Sequence, residues 1–380
     1  MFRSVCLLAA LAAPIAASPV PPVPPAPPPQ SHAAMPPSLQ AIGDRIDAEC
    51  AAGRFSGVVI VRIAGQDVLQ RACGMADIIN DVAVTRDTRF KIYSDSKFIT
   101  ALTILALVED GTLSLDRPIT SYLADAPSEW AGVTLRMLLN HTSGIDDLTL
   151  RLLYFYRSDH PTAMRDLLGA TTPAERALKS APGTTRRYNN FGFELLAEAA
   201  ARATGTPFAE LAQRKVFGPA GMRSASIEAP SIEAGHLVPV SEPGLAKGYN
   251  GERGALSEAV NWAFVQLGAG AVRASAADFI ALDAALAAGK VIGRAMQDEM
   301  IRAPIAPGDG KGGAAFGLGV AVQKPLGVLM AGHTGGTNGY ITDFQRFPDP
   351  DAMMIVLSNR GTTRTAWMYD EVAAALAAAR

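Results

Sequence analysis

The sequence predicts an α+β fold in which an antiparallel sheet is flanked by N- and C-terminal helices and carries an inserted all-helical lobe. Short apolar runs between glycine and proline residues, typical of antiparallel strands, occur near the N-terminus and again near the C-terminus. The segment between them, from about residue 116 to about residue 230, has helical and loop-like patterns without convincing strands. One sheet built from both chain ends, with the helical segment inserted, accommodates both patterns.

The N-terminal elements begin with helical periodicity over residues 38–50. A hairpin follows, with strands over residues 56–63 and 68–73 and a turn at Ala64-Gly65-Gln66. After Ser94 an apolar run continues to Glu109-Asp110 and predicts a buried helix, which Gly111 caps. The strands predicted near the C-terminus cover residues 316–323, 327–331, 339–347 and 353–358, and an alanine-rich helix begins near Thr365.

Residues 1–18 are typical of a cleavable secretory signal, because Arg3 precedes an apolar stretch that ends in small residues suited to cleavage. Cys6 lies too early for a lipoprotein cleavage site, so we expect a soluble product that is periplasmic or secreted. Residues 19–37 are rich in proline and predict an extended linker. One predicted domain covers residues 38–380, with a sheet lobe at about 38–115 and 265–380 and a helical lobe at about 116–264.

The composition disfavours several classes of function. The formal net charge is −2 and no basic run occurs, which argues against nucleic acid or an anionic membrane as a partner. No run beyond the signal is apolar for long enough to insert stably in a membrane. Five scattered histidines without closely spaced cysteines predict no metal site and no cofactor. Cys50 and Cys73 remain after signal removal, and a disulfide and two separate thiols are both consistent with the sequence.

The most informative stretch is Ser94-Asp95-Ser96-Lys97, which occurs once as an S-x-x-K pattern. Residues three apart share a helix face, so the Ser94 hydroxyl and the Lys97 amine are expected to point the same way at the start of the helix. Burial and the positive helix end disfavour an ammonium, so Lys97 could be a neutral amine that takes the Ser94 proton. A serine cap with a lysine reaching for solvent is the alternative for this pattern alone.

Two further motifs also occur once each. Tyr188-Asn189-Asn190 follows a Pro-Gly-Thr loop, and His333-Thr334-Gly335-Gly336 opens a glycine-rich strand. Taken separately, Tyr188 could be a core tyrosine, Asn190 a turn residue and His333 a strand residue bonded to backbone. Together with Ser94 and Lys97 they are the candidate residues for chemistry.

The order of these motifs resembles the penicillin-recognising serine hydrolases, the superfamily of class C β-lactamases, D-alanyl-D-alanine carboxypeptidases, D-aminopeptidases and β-lactamase-fold esterases. The resemblance covers roughly residue 39 to the C-terminus and implies a β-lactamase/transpeptidase-like fold. Further matching segments are LLNHTSG at 138–144, PGT at 182–184, VFGPAGM at 216–222, GAG with SAAD between 268 and 278, and GHTGGTNGY at 332–340.

The resemblance implies roles for the catalytic residues. Ser94 would attack a carbonyl and form an acyl-enzyme, while Lys97 and Tyr188 would act as base and proton shuttle. A phenol near an ammonium can be depressed toward phenolate, which would suit that role for Tyr188. The backbone N–H groups of Ser94 and Gly336 would form the oxyanion hole.

The same resemblance implies the substrate-binding residues Asn190, His333, Thr334 and Gly335. Asn190 would hydrogen-bond Lys97 or a substrate amide, and His333 would line the cleft and position Tyr188 or a substrate carboxylate. His141, within the HTSG segment, is assigned a structural role.

Three positions depart from the family pattern. Class C β-lactamases and most of the carboxypeptidases have lysine where His333 stands, and a histidine that is only partly charged is a weaker anchor for a carboxylate. Tyr93 stands where the family generally has a small residue, and it either narrows the acyl pocket or packs in the core. Asn189 replaces the usual serine, which is a mild change.

These observations predict an exported serine hydrolase that cleaves esters or D-amino-acid peptides through an acyl-enzyme on Ser94. The alternatives are a β-lactamase or cell-wall D-alanyl-D-alanine carboxypeptidase acting on β-lactams or D-peptides, and a non-catalytic peptidoglycan-binding protein. The loops at residues 146–172 and 228–261 are expected to shape the pocket, and their sequences do not specify a ligand.

Overall fold

The structure is a computed structural model that describes residues 37–157, 163–227, 232–233, 236–237, 242–251, 255–259, 267–306, 314–337 and 339–379. The predicted signal and almost all of the proline-rich linker lie outside these residues, as do parts of the two loops expected to shape the pocket.

The described strands belong to one large sheet and several small ones. They are β1 Gly57–Ile63, β2 Gln66–Cys73, β3 Met75–Asp77, β4 Val82–Ala83, β5 Arg89–Lys91, β6 Ser226–Ile227, β7 Ile232–Glu233, β8 His236–Leu237, β9 Tyr249–Asn250, β10 Ser257–Glu258, β11 Val272–Ser275, β12 Ala315–Phe316, β13 Ala321–Gln323, β14 Met330–Thr337, β15 Tyr340–Phe347 and β16 Ala352–Ser358.

The described α-helices lie at both chain ends and through the middle of the sequence. They are α1 Pro37–Ala51, α2 Ser96–Glu109, α3 Leu135–Leu139, α4 Thr149–Arg157, α5 Ala163–Gly169, α6 Pro173–Arg176, α7 Asn190–Thr204, α8 Phe208–Ala212, α9 Gly218–Ala220, α10 Ala276–Ala287, α11 Arg294–Arg302 and α12 Ala366–Ala378.

A seven-stranded antiparallel sheet joins the two ends of the chain in the order β12-β13-β14-β15-β16-β1-β2. The N-terminal strand β1 pairs with the C-terminal strand β16, with Val59 opposite Val356. Because β1 also pairs with β2, the predicted hairpin is present, and it turns at Ala64 and Gly65. The predicted α+β class is therefore confirmed.

Two predicted strands are wrong in their bounds. Residues 316–323 do not form one strand, because the chain turns at Gly319, where φ is +76°, between β12 and β13. The strand predicted at 327–331 starts only at Met330, after a turn in which Gly327 has a φ of +81°. It then continues to Thr337, so His333 lies in the middle of β14 rather than at its start.

Both faces of the sheet are covered, which explains why the β1 sequence is apolar on consecutive residues rather than alternating. Val59 and Val61 pack in one cluster with α1 and α12. Val58 and Ile60 pack in a second cluster with α2, α7 and α10. Side chains alternate between the faces of a strand, so burying both faces requires a continuous apolar run.

The sequence left two states open for Cys50 and Cys73, and the structure joins them in a disulfide with a Cα–Cα distance of 6.2 Å. The bond ties the end of α1 to the end of β2. Of the helices in the described ranges, none has the length and apolar character needed to cross a membrane.

Candidate active site

Ser94 lies in a single 3-10 turn, Tyr93–Asp95, immediately before α2. The sequence predicts Ser94 in the first turn of the α-helix. This prediction is wrong, because the helix begins only at Ser96. Tyr93 has a φ of +46°, in a left-handed region that non-glycine residues rarely adopt, and such strain is often found at functional sites. Its buried ring lies 5.6 Å from the ring of Tyr340, so Tyr93 packs in the core.

Lys97 follows in the first turn of α2, and its side chain is fully buried, with 0% exposure. Its Nζ atom donates to Ser94 Oγ at 3.2 Å and to the Ala269 carbonyl at 2.9 Å. Burial lowers the pKa of Lys97 to about 7, while the acidic side chains of Glu194, Asp147 and Asp95 oppose that shift. Near neutral pH a large fraction of Lys97 is therefore a neutral amine within reach of the Ser94 proton.

Tyr188 also lies within hydrogen-bond distance of Ser94. Its hydroxyl donates to Ser94 Oγ at 2.9 Å, and its ring centroid lies 4.9 Å from Lys97 Nζ. Desolvation in the cleft raises the pKa of Tyr188, Asp95 and Asp147 raise it further, and the hydrogen bond with Ser94 opposes the shift. The expectation of a phenol depressed toward phenolate is wrong for the free protein, since these effects favour the neutral hydroxyl.

The residues after Tyr188 start α7. Asn189 caps this helix, because its side-chain oxygen accepts from Gly192 N at 2.9 Å while its amide donates to the Ile145 carbonyl. The Asn190 backbone N–H donates to Asp147 at 3.1 Å. Among the described residues no hydrogen bond joins the side chain of Asn190 to Lys97, and Asn190 is partly exposed.

Strand β14 brings its glycines against the nucleophile turn. A Cβ atom on Gly335 would lie 2.0 Å from the Ile92 carbonyl and 3.1 Å from Asp95 N, so only glycine allows this approach. Gly336 and Thr334 are exposed on the same strand. The backbone N–H of Gly336 is predicted to contribute to the oxyanion hole. Gly336 directly follows Gly335, the residue at which β14 meets the turn that carries Ser94.

His333 is a buried residue of this strand and lines a small cavity of about 230 Å³ together with Arg186, Tyr188 and Phe316. Burial lowers the pKa of His333 to about 3, and the positive charge of Lys97 adds to this effect. Its Nδ1 lies 2.7 Å from the Thr334 carbonyl, which requires a proton on Nδ1 and leaves Nε2 as an acceptor. The expected partly charged histidine is therefore neutral near pH 7.

His141, which the sequence analysis assigns a structural role, packs against the ring of Tyr188. Its ring centroid is 4.6 Å from that of Tyr188 and 4.7 Å from that of Phe316. Its Nδ1 accepts from Asn189 N at 3.2 Å, and burial lowers its pKa well below the usual value. His141 thus supports the Tyr188 ring and the start of α7 as a neutral side chain.

Two contributors to the site were missed by sequence reasoning. The Ala269 carbonyl accepts from Lys97, and no side chain marks such a role. Glu194 is an acidic residue within the apolar part of α7, which was a signal in the sequence, and its side chain is buried.

Within the described ranges no group of His, Cys, Asp and Glu residues could hold a metal ion.

The chain is similar to known proteins of one family. The β-lactamase family model matches residues 42–379. The chain is 27% identical over 319 residues to penicillin-binding protein 4* of Bacillus subtilis (strain 168), covering 81% of this chain and 68% of that protein. It is 29% identical over 303 residues to a D-aminopeptidase of Brucella anthropi, covering 75% of this chain and about half of that protein, 52%.

The structure is also similar to that of D-amino acid amidase from Ochrobactrum anthropi SV3, solved in complex with D-phenylalanine. The TM-score is 0.74 at 22% identity, and the match covers 90% of this chain and 99% of the amidase chain. At this identity the likeness shows the fold alone. Because the family model spans nearly all of the described chain, the protein belongs to the β-lactamase family and is a serine hydrolase of that superfamily.

Proposed function

We propose that this protein is exported and cleaves ester or amide bonds, of the D-amino-acid type in the case of amides, through an acyl-enzyme on Ser94. The observation that carries the proposal is the convergence on Ser94 Oγ of Lys97 Nζ at 3.2 Å and Tyr188 OH at 2.9 Å. A nucleophile within hydrogen-bond reach of a buried amine and a neutral phenol has both a base and a proton relay.

In the first step, neutral Lys97 accepts the Ser94 proton as Ser94 Oγ attacks the substrate carbonyl carbon. The negative charge that develops on the carbonyl oxygen is stabilised by the backbone N–H groups of Ser94 and Gly336. When the tetrahedral intermediate collapses, Tyr188 gives its proton to the leaving amine or alcohol and takes the proton held by Lys97. A water molecule then attacks the acyl-enzyme by the same steps in reverse.

The choice of substrate class rests on His333. A neutral imidazole whose free Nε2 is an acceptor offers no positive charge to a substrate carboxylate, in contrast to the lysine of class C β-lactamases. The exposed carboxylate of Asp147 lies close enough to raise the pKa of Lys97 and Tyr188. This charge distribution favours uncharged esters and substrates with a free amino group, as in the D-aminopeptidase relative, over substrates with a carboxylate.

A second candidate is a β-lactamase or D-alanyl-D-alanine carboxypeptidase. It is favoured by Arg186, whose side chain lines the same 230 Å³ cavity as His333 and could bind a substrate carboxylate there.

A parallel assay separates the candidates. A short-chain p-nitrophenyl ester, D- and L-alanine p-nitroanilide and a chromogenic cephalosporin are compared by kcat/KM, with Ser94→Ala as the control. We expect hydrolysis of the ester and the D-anilide and labelling of Ser94 by a fluorophosphonate probe. A cephalosporin hydrolysed far more efficiently than the other substrates would favour the second candidate, and the absence of Ser94-dependent labelling at any pH would favour a non-catalytic binding protein.

A further inference from the structure

A buried acid lies behind the catalytic lysine. Glu194, in the second turn of α7, is only 3% exposed. Its Oε1 accepts from Ala269 N at 2.8 Å, and its Oε2 accepts from Gly268 N at 3.4 Å. Backbone donors that converge on a carboxylate stabilise its charged form. Glu194 can therefore carry a negative charge despite its burial.

Ala269 connects Glu194 to Lys97. Its N–H donates to Glu194, while its carbonyl accepts from Lys97 Nζ at 2.9 Å. Gly268, the residue before Ala269, is also tightly packed. Thr100 donates to its carbonyl at 2.6 Å. A Cβ atom on Gly268 would lie only 2.1 Å from the Phe193 carbonyl. The segment Gly268-Ala269 thus connects Lys97 on α2 with Glu194 on α7.

The charges of the two side chains depend on each other. Burial raises the pKa of Glu194 to about 8 and lowers that of Lys97 to about 7, and each charged form opposes the shift of the other. Interacting groups of this kind titrate as a pair. The ionisation of either side chain therefore depends on whether the other one carries a charge.

The other titratable side chains around Lys97 do not compete for this role, since each is exposed to solvent or has its pKa shifted in the direction that favours its neutral form. Solvent screens an exposed carboxylate more strongly than a buried one. These side chains are Asp95, which is buried with its pKa well above the usual value, His141 and His333 with lowered pKa values, Tyr188 with a raised one, and Asp147, which is exposed.

We propose that Glu194 is a positioning residue that acts through Lys97: it holds the lysine in place through Ala269, and its carboxylate stabilises the lysine's ammonium. The inference rests on the proposed role of Lys97 as the base. When Glu194 is ionised and the Ser94 proton reaches the neutral Lys97, the pair gains that single proton. The Glu194 carboxylate then stabilises the new ammonium until Tyr188 gives its own proton to the leaving group and takes the proton from Lys97. The pair regains its starting charge at the end of each half-reaction.

Glu194→Gln tests this role, because glutamine keeps the shape of the side chain and removes the charge. Without the carboxylate, the largest of the charges that raise the pKa of Lys97 is gone, so we expect the acid limb of kcat/KM to move to lower pH by about one unit. The matched control is Glu198→Gln, one turn later on α7, where the carboxylate pairs with Arg202 at the surface. The control should leave the pH profile unchanged. A folded Glu194→Gln protein whose acid limb coincides with that of the wild type would overturn the proposal.

A spectroscopic measurement covers the case in which Glu194→Gln does not fold. In protein labelled with ¹³C-carboxyl glutamate, infrared difference spectra isolate protonated glutamate from protonated aspartate. We expect the glutamic acid band to persist to higher pH in Lys97→Met than in the wild type, because the positive charge that favours the carboxylate is gone. An identical pH dependence in both would overturn the interaction between the two charges. Absence of Ser94-dependent turnover in the wild type would instead refute the proposed function, so the two failures are distinguishable.

Discussion

The two sides of the cleft contribute to Ser94 in different ways. The sheet side, formed by β14, approaches the nucleophile turn through its backbone, and Gly335 touches the Ile92 carbonyl because it has no side chain. The helical side, formed by α7 and the residues before it, contributes Tyr188 and Glu194, whose protonation states matter. We infer that substitutions on the sheet side act through geometry and change the rate at every pH, whereas those on the helical side also change the pH profile.

The largest effect is expected at Lys97, which lies between the two sides. Lys97→Met removes the base and should lower kcat/KM by about 10³-fold or more. Thermal stability should be kept or increased, because a fully buried amine is replaced by an apolar chain of similar length. The double variant Ser94→Ala/Lys97→Met should be no less active than either single variant, since the residues act as a unit. Near-normal turnover by Lys97→Met would remove the lysine from the mechanism.

On the helical side, Tyr188→Phe removes the hydroxyl that donates to Ser94 Oγ at 2.9 Å. We expect a loss of about 10² to 10³-fold in kcat/KM, with a larger loss for substrates that have a poor leaving group, because the proton relay to that group is gone. Comparing a p-nitrophenyl ester with a D-amino acid amide measures the difference. Equal losses for both substrates would assign Tyr188 to positioning instead of proton transfer.

On the sheet side, Gly335→Ala forces β14 away from the turn that carries Ser94. A displacement of about 1 Å at a nucleophile can lower the rate by about 10²-fold, so we expect a loss of that order at every pH. Gly169→Ala is the matched control, because a Cβ there meets no atom within 4 Å. If Gly335→Ala shifted the acid limb of the pH profile, the contrast between the two sides would be wrong.

The pH dependence of the wild type should report Lys97. The base must be neutral, and its pKa is lowered to about 7, so kcat/KM for an uncharged ester should rise about tenfold per unit below pH 7 and level off above it. His333, with a pKa of about 3, should add no step between pH 5 and 8. A profile measured from pH 5 to 9 with an additional step that disappears in His333→Gln would show that this histidine is charged in the working range.

The smallest effect on catalysis is expected far from the cleft, at the disulfide between Cys50 and Cys73. Replacing both cysteines by serine opens a loop with a sequence separation of 23 residues, which should cost about 3 kcal/mol in the free energy of unfolding. Urea denaturation measures this loss, and kcat/KM at 25 °C should not change. A change in kcat/KM would show that the outer face of the sheet is coupled to the cleft.

Much of the fold could be predicted because the decisive signals are local. The strands at residues 339–347 and 353–358 match β15 and β16 closely, since apolar runs bounded by glycine and proline specify buried strands. The prediction of one strand at 316–323 is wrong, because the chain turns at Gly319. This turn requires a positive φ and places Gly319 against Ala101, which lies far away in the sequence. Tertiary contact decided that boundary.

The sequence by itself determined the family pattern and the residue types at the site. Short segments of the sequence specify the spacing of Ser94 and Lys97, the Tyr188 motif and the glycines of β14. The sequence alone is therefore sufficient to identify these residues.

Only the tertiary structure decided the charges. His333 is neutral, Tyr188 keeps its proton, and Lys97 lies near its titration point because each environment combines burial with groups from distant segments. The same is true of Glu194, whose link to Lys97 runs through the backbone of Ala269. A pKa depends on the water removed and the charges gathered around a group, and both are set when the chain folds.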